Sequence, residues 1–405
     1  MADFSSYRAP AEVTRWRTIA LGAGGIGLIL WLIGLYFDPE QALRSWLLGF
    51  IFWGGLGIGS IGILILQYLT GGAWGVVIRR VAEAGSRTLP VVILLFVPLV
   101  LGLNNLYEWT HLDASEHVMQ HRGWFMTKES WILRSVIYFA IFGVMAYLLN
   151  KWSAEQDKTS DFDAAAKKLG TATAFSGPAM VFYAIIVSFA SVDWMMMLDP
   201  HYFSTIWGLL FVAGWALSCF CFSVVILALL SDKTPMDRVL GRRHFHDLGK
   251  LMLALVMIWA YFNFSQYLII WAGNIPEETT WFLDRTSHGW GYVAWILVFF
   301  HFAAPFLILL MQDLKRRAKT LALVALFILL MRFVDMYWLI GPSPRISTHG
   351  ESLGLIAGFS WMDIVAPIAV GGIWLWYFFG QLMSRPLVPV MDPFLEKAVE
   401  HGHGH

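Results

Sequence analysis

Ten separate stretches of this 405-residue chain are each long and apolar enough to cross a bilayer. They cover 16–36, 43–69, 89–107, 131–149, 174–198, 204–230, 247–271, 289–312, 320–341 and 362–383. A helix needs about 20 apolar residues to traverse the hydrocarbon. In lipid the backbone must satisfy its own hydrogen bonds, so only helices and closed barrels can span it. These runs are too long and too continuously apolar for barrel strands. The expected fold class is all-α: a polytopic membrane protein with ten transmembrane helices. The first run is expected to stay in the mature chain. Its apolar stretch outruns a signal h-region, and Tyr36-Phe37-Asp38 follows it instead of a small-residue cleavage site.

Composition supports the same class. Hydrophobic residues make up 58% of the chain and charged residues 14%, with mean hydropathy +0.62. A soluble domain carries roughly 25% charged residues. A soluble globule, a disordered chain, a fibre and a nucleic-acid binder are thereby excluded. Lys+Arg and Asp+Glu balance at 28 each, so net charge argues for no polyanionic partner. Two cysteines make neither a disulfide scaffold nor a cysteine-ligated cluster, and the sequence holds no Cys-x-x-Cys-His for c-type haem.

Basic residues in alternate connections set orientation. One side carries 20 of them, including Arg79, Arg80, Arg87, Lys151, Lys158, Arg316 and Arg385; the other carries five, Arg44, Arg122, Lys128, Arg285 and Arg345. Both termini are therefore expected in the cytoplasm, with 108–130, 199–203, 272–288 and 342–361 facing outward. The longest polar stretch, 150–173, is too short for a domain. We expect one membrane domain over 1–383 and a cytoplasmic tail over 384–405. The tail ends in HGHGH and reads as a disordered polar end. Gly55 and Gly59 in the second run have the spacing for close helix packing. Pro98, Pro178, Pro305 and Pro367 lie inside runs and are expected to kink or open them.

Ionisable groups in hydrocarbon cost about 2.5–3.5 kcal/mol each on insertion scales, so they face the bundle interior. His301 is the deepest, 12 residues into its run, or ~18 Å along the axis. Arg332 lies near the middle of the ninth run. Asp335, three residues on, shares its face, so an ion pair within the helix is available. Such a pair can simply neutralise itself while pinning helices, or serve a proton relay. Outer ends hold a second set: Glu108, His111, His117 and His121 after the third run, Asp193, Asp199 and His201 at the end of the fifth, then Asn274, Glu277, Glu278, His288, His349, Glu351 and Asp363. Such rim groups are ordinarily solvated, but four connections bring them to one side. Bis-histidine haem needs two deep histidines, and only His301 qualifies. Cys219 and Cys221 point about 200° apart on one helix and read as packing residues.

Three segments carry a resemblance: "DWMMMLDPHYFSTIWG", "YFNFSQYLIIWAGNIPEETTWF" and "HLDASEHVMQHRGWFMTKESWILRSVIYF". They resemble the second, smaller quinone-binding-type membrane subunit of bacterial alternative complex III, in the polysulfide reductase (NrfD-like) family. The resemblance runs from the first span to the tail. It implies two four-helix bundles, spans 2–5 and 6–9, with spans 1 and 10 peripheral, in a bacterial inner membrane. It implies a complex that oxidises menaquinol or ubiquinol and passes electrons to cytochrome c or directly to a terminal oxidase. The implied partners are an iron–sulfur protein, multihaem and monohaem cytochrome c subunits, and a homologous larger quinol-binding membrane subunit. Iron–sulfur clusters and haem c would belong to those partners, and this chain would bind no cofactor or metal of its own. A proton-conducting role then falls on Asp193, His301, Arg332 and Asp335, with Glu108, Asp199 and Glu277 at the outer end. Asp193, Trp194 and the Met195–Met197 run, with His111, would instead supply a quinol site if this chain holds one. A secondary transporter and a purely structural anchor complete the alternatives.

Overall fold

The computed structural model describes residues 8–113, 115–348 and 351–403, without the side chain of Glu277. The described residues contain helices and no strand. Among the described residues nine helices are long and apolar enough to cross a membrane: α1 (Ala11–Phe37), α2 (Pro39–Thr70), α5 (Lys128–Lys158), α6 (Phe162–Trp194), α7 (Trp207–Leu230), α8 (Arg242–Gly273), α10 (Trp290–Leu310), α11 (Ala318–Ile340) and α12 (Met362–Met383). The pair α3 (Ala73–Ser86) and α4 (Leu89–Leu101), bent by 42°, passes the same test only when joined. Two shorter helices complete the labelled set, α9 (Pro276–Thr286) and α13 (Leu395–His403). The chain is therefore a multi-pass helical membrane protein.

Local chemistry sets the helix ends. Asp38 accepts the Gln41 amide at 3.1 Å with Pro39 in the first turn of α2. Thr127 caps α5 through the Ser130 amide at 3.2 Å. Asn274 closes α8 in the left-handed region, φ 48°.

One group of helices packs α2 with α3, α4, α5 and α6. A second packs α7 with α8 and α11, and α10 with α8 and α11. The groups meet where α7 lies against α2 and α6. Outside them, α1 and α12 lie together, and α12 rests on α2. The most apolar window of α2 is 89% buried, against 28% for α1 and 22% for α8. Gly55 and Gly59 explain how α2 reaches this central place. A Cβ on Gly55 would stand 2.3 Å from the Trp215 indole nitrogen, and one on Gly59 would stand 2.6 Å from the Trp215 carbonyl.

Several expectations need correction. The polar stretch 150–173 is mostly helical, and the apolar runs beside it, 131–149 and 174–198, are shorter than the helices that hold them. Helix α5 runs on to Lys158 and α6 starts at Phe162, because Asp161 caps the Asp163 amide at 3.0 Å. The third run begins earlier than 89 and changes direction at residues 87–88, whereas α4 passes through Pro98 unbroken. Pro178 and Pro367 likewise stay inside continuous helices. Pro305 behaves differently: the turns before it, Leu297–Ala303, are wound as π-helix. Arg79 and Arg80, counted among the orientation cations, do not reach solvent. They are buried in an ion network in which Arg79 meets Glu83 (3.2 Å) and Asp392, and Arg80 meets Glu83 (2.7 Å) and Asp157 (2.6 Å).

Among the described residues the tail ends in the helix α13 (Leu395–His403). Leu395 and Ala398 of α13 are buried, and His401 contacts Asp247 at 2.8 Å. Apolar positions on one face of α13 drive this docking, which the polar ending of the sequence hid. His405 lies outside the described residues, as does His349.

Candidate functional site

Four helices of the second group converge on one buried polar cluster at mid-depth. Helix α11 supplies Arg332 and Asp335, three residues apart, and they form an ion pair. Both are buried. Helix α8 supplies Trp259, whose indole N–H donates to Asp335 Oδ2 at 3.1 Å. Helix α7 supplies Ser218, whose hydroxyl accepts from Arg332 Nε at 3.3 Å. The guanidinium lies against Gly214 of the same helix, where a Cβ would stand 2.3 Å from Nη2. Helix α10 supplies His301, whose ring lies over Trp259 with centroids 3.8 Å apart. The turns of α10 that carry His301 also pack on α11.

His301 is the unusual member. It is fully buried, and neither ring nitrogen has a hydrogen-bond partner among the described residues. Leaving a buried polar atom unpaired costs about 1–3 kcal/mol, so the position asks for a reason. It also sits within the π-helical turns, a departure from regular winding that recurs at functional sites. Pro305 contributes to that winding, because it cannot donate to the carbonyl four residues back, which is that of His301. An imidazole with both nitrogens free can accept a proton on one and release it from the other.

In the first group Asp193 is buried and fully engaged. Arg134 of α5 holds it bidentately, Nε to Oδ2 and Nη2 to Oδ1, both at 2.8 Å. Tyr138 donates to Oδ2 at 2.6 Å, and the Trp131 indole donates to the Asp193 carbonyl at 2.8 Å. Arg134 also lies over the Phe125 ring at 3.7 Å. Trp194 is packed ring to ring, stacked on Phe139 and set against Phe50 and Phe96, with its N–H donating to Ser135 at 3.1 Å. Met195 and Met197 are buried beside it. His111 is exposed and contacts the Asn104 carbonyl at 2.7 Å. In this geometry Asp193 and Trp194 are filled positions of a closed core.

At the end of the bundle expected to face outward, Asp199 is buried and accepts the backbone amides of His201 (3.0 Å) and Tyr202 (3.3 Å). Glu108 is half-buried, and burial together with the Asp199 charge pushes its carboxyl above the usual range. Arg285 is buried on the Trp281 ring at 3.6 Å and donates to the Leu339 carbonyl and the Ser343 hydroxyl; burial pushes it down to about 10. Glu277 is the second residue of α9, and its side chain is outside the described residues.

The structure thus brings His301, Arg332 and Asp335 together and leaves Asp193 in a separate cluster. Sequence reasoning missed Arg134 and Trp259. Arg134 had a usable signal, a cation inside an apolar run at the same outer level as Asp193 on the antiparallel neighbour. Trp259 had none, since one tryptophan in an apolar run is indistinguishable from packing. No protein-family model matches the chain, and no curated protein sequence matches it.

Proposed function

We propose that this chain is a membrane subunit of a respiratory quinol oxidoreductase resembling alternative complex III. It has no redox centre of its own and contributes a proton-conducting element and an assembly surface. On this reading the bent pair α3–α4 is one of ten spans, both termini are cytoplasmic, and the membrane is the bacterial inner membrane. The observation that carries the proton role is the mid-depth cluster. An unpartnered imidazole stands beside a tryptophan-linked Asp335–Arg332 pair, with four helices contributing. A packing core needs no titratable groups there, and lipid makes them costly. The resemblance of three segments to the NrfD-like family supplies the assembly and the redox partners: an iron–sulfur protein, cytochromes c and a larger sister subunit. The low burial of α8, and the aromatic residues it exposes, such as Tyr261, Phe264 and Trp271, suit a helix with a neighbour in the membrane.

The assembly is tested by tagging the chromosomal copy and isolating the chain in mild detergent. Co-isolation with c-type haem, iron–sulfur signals and quinol oxidation is expected. Recovery of the chain free of any metal-bearing partner would overturn the assignment.

A further inference from the structure

We propose that a groove between α4, α5 and α12 holds the headgroup of an anionic glycerophospholipid. The groove is open, about 570 Å³ in volume, and lies at the end of the bundle where α3 and α12 finish. Its polar rim is cationic: Arg87, Lys151, Lys158 and Arg385 line it, with Glu155 as the one acidic residue. Glu155 is paired with Lys168 and faces Lys151 and Lys158 as well, so the rim keeps a net positive charge of four cations against one carboxylate.

The ion network beneath leaves one arginine without a carboxylate. Asp392 faces Arg79 and Asp157 faces Arg80, while Glu83 is shared among Arg79, Arg80 and Arg385. Arg87 has only neutral acceptors: the Ser384 hydroxyl and Gln381 carbonyl at 2.8 Å, and the Glu83 carbonyl at 3.3 Å. Lys151 and Lys158 are exposed and make no ion pair among the described residues. A basic recess at the membrane surface attracts anionic headgroups.

The apolar part of the lining decides for a lipid over a soluble anion. It is made by Leu89, Pro90, Gly143 and Tyr147. From there the apolar surface continues along the two helices through Leu94, 63% exposed, and Val144, 55% exposed. A phosphate at Arg87 and Lys151 would leave its acyl chains on this surface. Tyr147, itself exposed, sits at the boundary between the two, as interfacial tyrosines do.

The test is native mass spectrometry of the purified full chain with phosphatidylglycerol or phosphatidylcholine of the same acyl chains. Phosphatidylglycerol should be retained preferentially. The preference should fall about fivefold for each cation removed in Arg87→Gln and in Lys151→Gln/Lys158→Gln, and should survive Lys319→Gln in another connection. The two lysines are exposed, so the double variant keeps its melting temperature and reads binding alone. Equal retention of the two lipids, or full preference in the double variant, would overturn the proposal. Displacement of phosphatidylglycerol by excess inorganic phosphate would also overturn it and make the groove a soluble-anion site.

Discussion

Removing the Asp335 charge should leave Arg332 buried and uncompensated. Asp335→Asn keeps an oxygen to accept the Trp259 N–H, so the change isolates the charge. Breaking a buried pair by removing one partner costs about 3–5 kcal/mol. The lower end applies here, because a micelle-bound unfolded chain also finds partners for its polar groups. About 3 kcal/mol is roughly a hundredfold change in the unfolding equilibrium. Asp335→Ala also strands the Trp259 N–H and should cost a further ~1–3 kcal/mol. Arg332→Leu/Asp335→Leu leaves no charge behind and should recover most of the loss. The assay is a double-mutant cycle, with unfolding followed by tryptophan fluorescence in mixed micelles. An Asp335→Asn cost below ~1 kcal/mol, or singles that simply add to give the double, would refute the reasoning that the pair is desolvated and coupled.

Other perturbations follow from the same geometry. Gly214→Ala pushes against the Arg332 guanidinium and should cost ~1–3 kcal/mol, most of it recovered in an Arg332→Leu background when measured by the same unfolding assay. Arg134→Gln and Asp193→Asn should each destabilise by about 2–4 kcal/mol, and together by much less than the sum, since both break one bidentate pair. Glu108 has a raised carboxyl pKa, so the folded state holds the proton more tightly than the unfolded one. Its contribution is greatest at low pH and is lost as pH climbs from the ordinary value of 4.5 through the raised one. Glu108→Gln should flatten that segment of a melting temperature against pH curve, and an unchanged slope would contradict the assignment. Truncation after residue 386 removes Asp392 and α13, and should lower thermal stability and expose the start of α8 to protease.

The membrane class and the placement of most helices were legible because lipid enforces a length and an apolarity that few sequences satisfy by accident. The ends of α5 and α6 within 150–173 were not legible, because helices can leave the membrane without breaking. Polar residues such as Lys151 and Asp157 mark the end of apolarity there and say nothing about the end of α5. The burial of Arg79 and Arg80, which count among the orientation cations, was not legible. Their carboxylate partners include Asp157 and Asp392, far along the chain, and pairing over such distances is decided by tertiary packing. Arg332 and Asp335 were readable since their spacing on one helix suffices. The proximity of His301 to that pair was not, because it depends on how α10 and α11 rotate against α8. The π-helical winding at His301 left a trace only in Pro305, and the other helix prolines show that a proline alone does not fix such a turn.

We propose that His301 and the Asp335–Arg332 pair move protons across the bundle. The direct measurement is proton release per quinol oxidised by the isolated assembly in sealed vesicles, comparing the unaltered complex with His301→Leu and Asp335→Asn. Fewer protons per quinol in both variants, with subunit composition intact, is the expected result. An unchanged ratio in both would contradict it and leave the cluster as a structural pin.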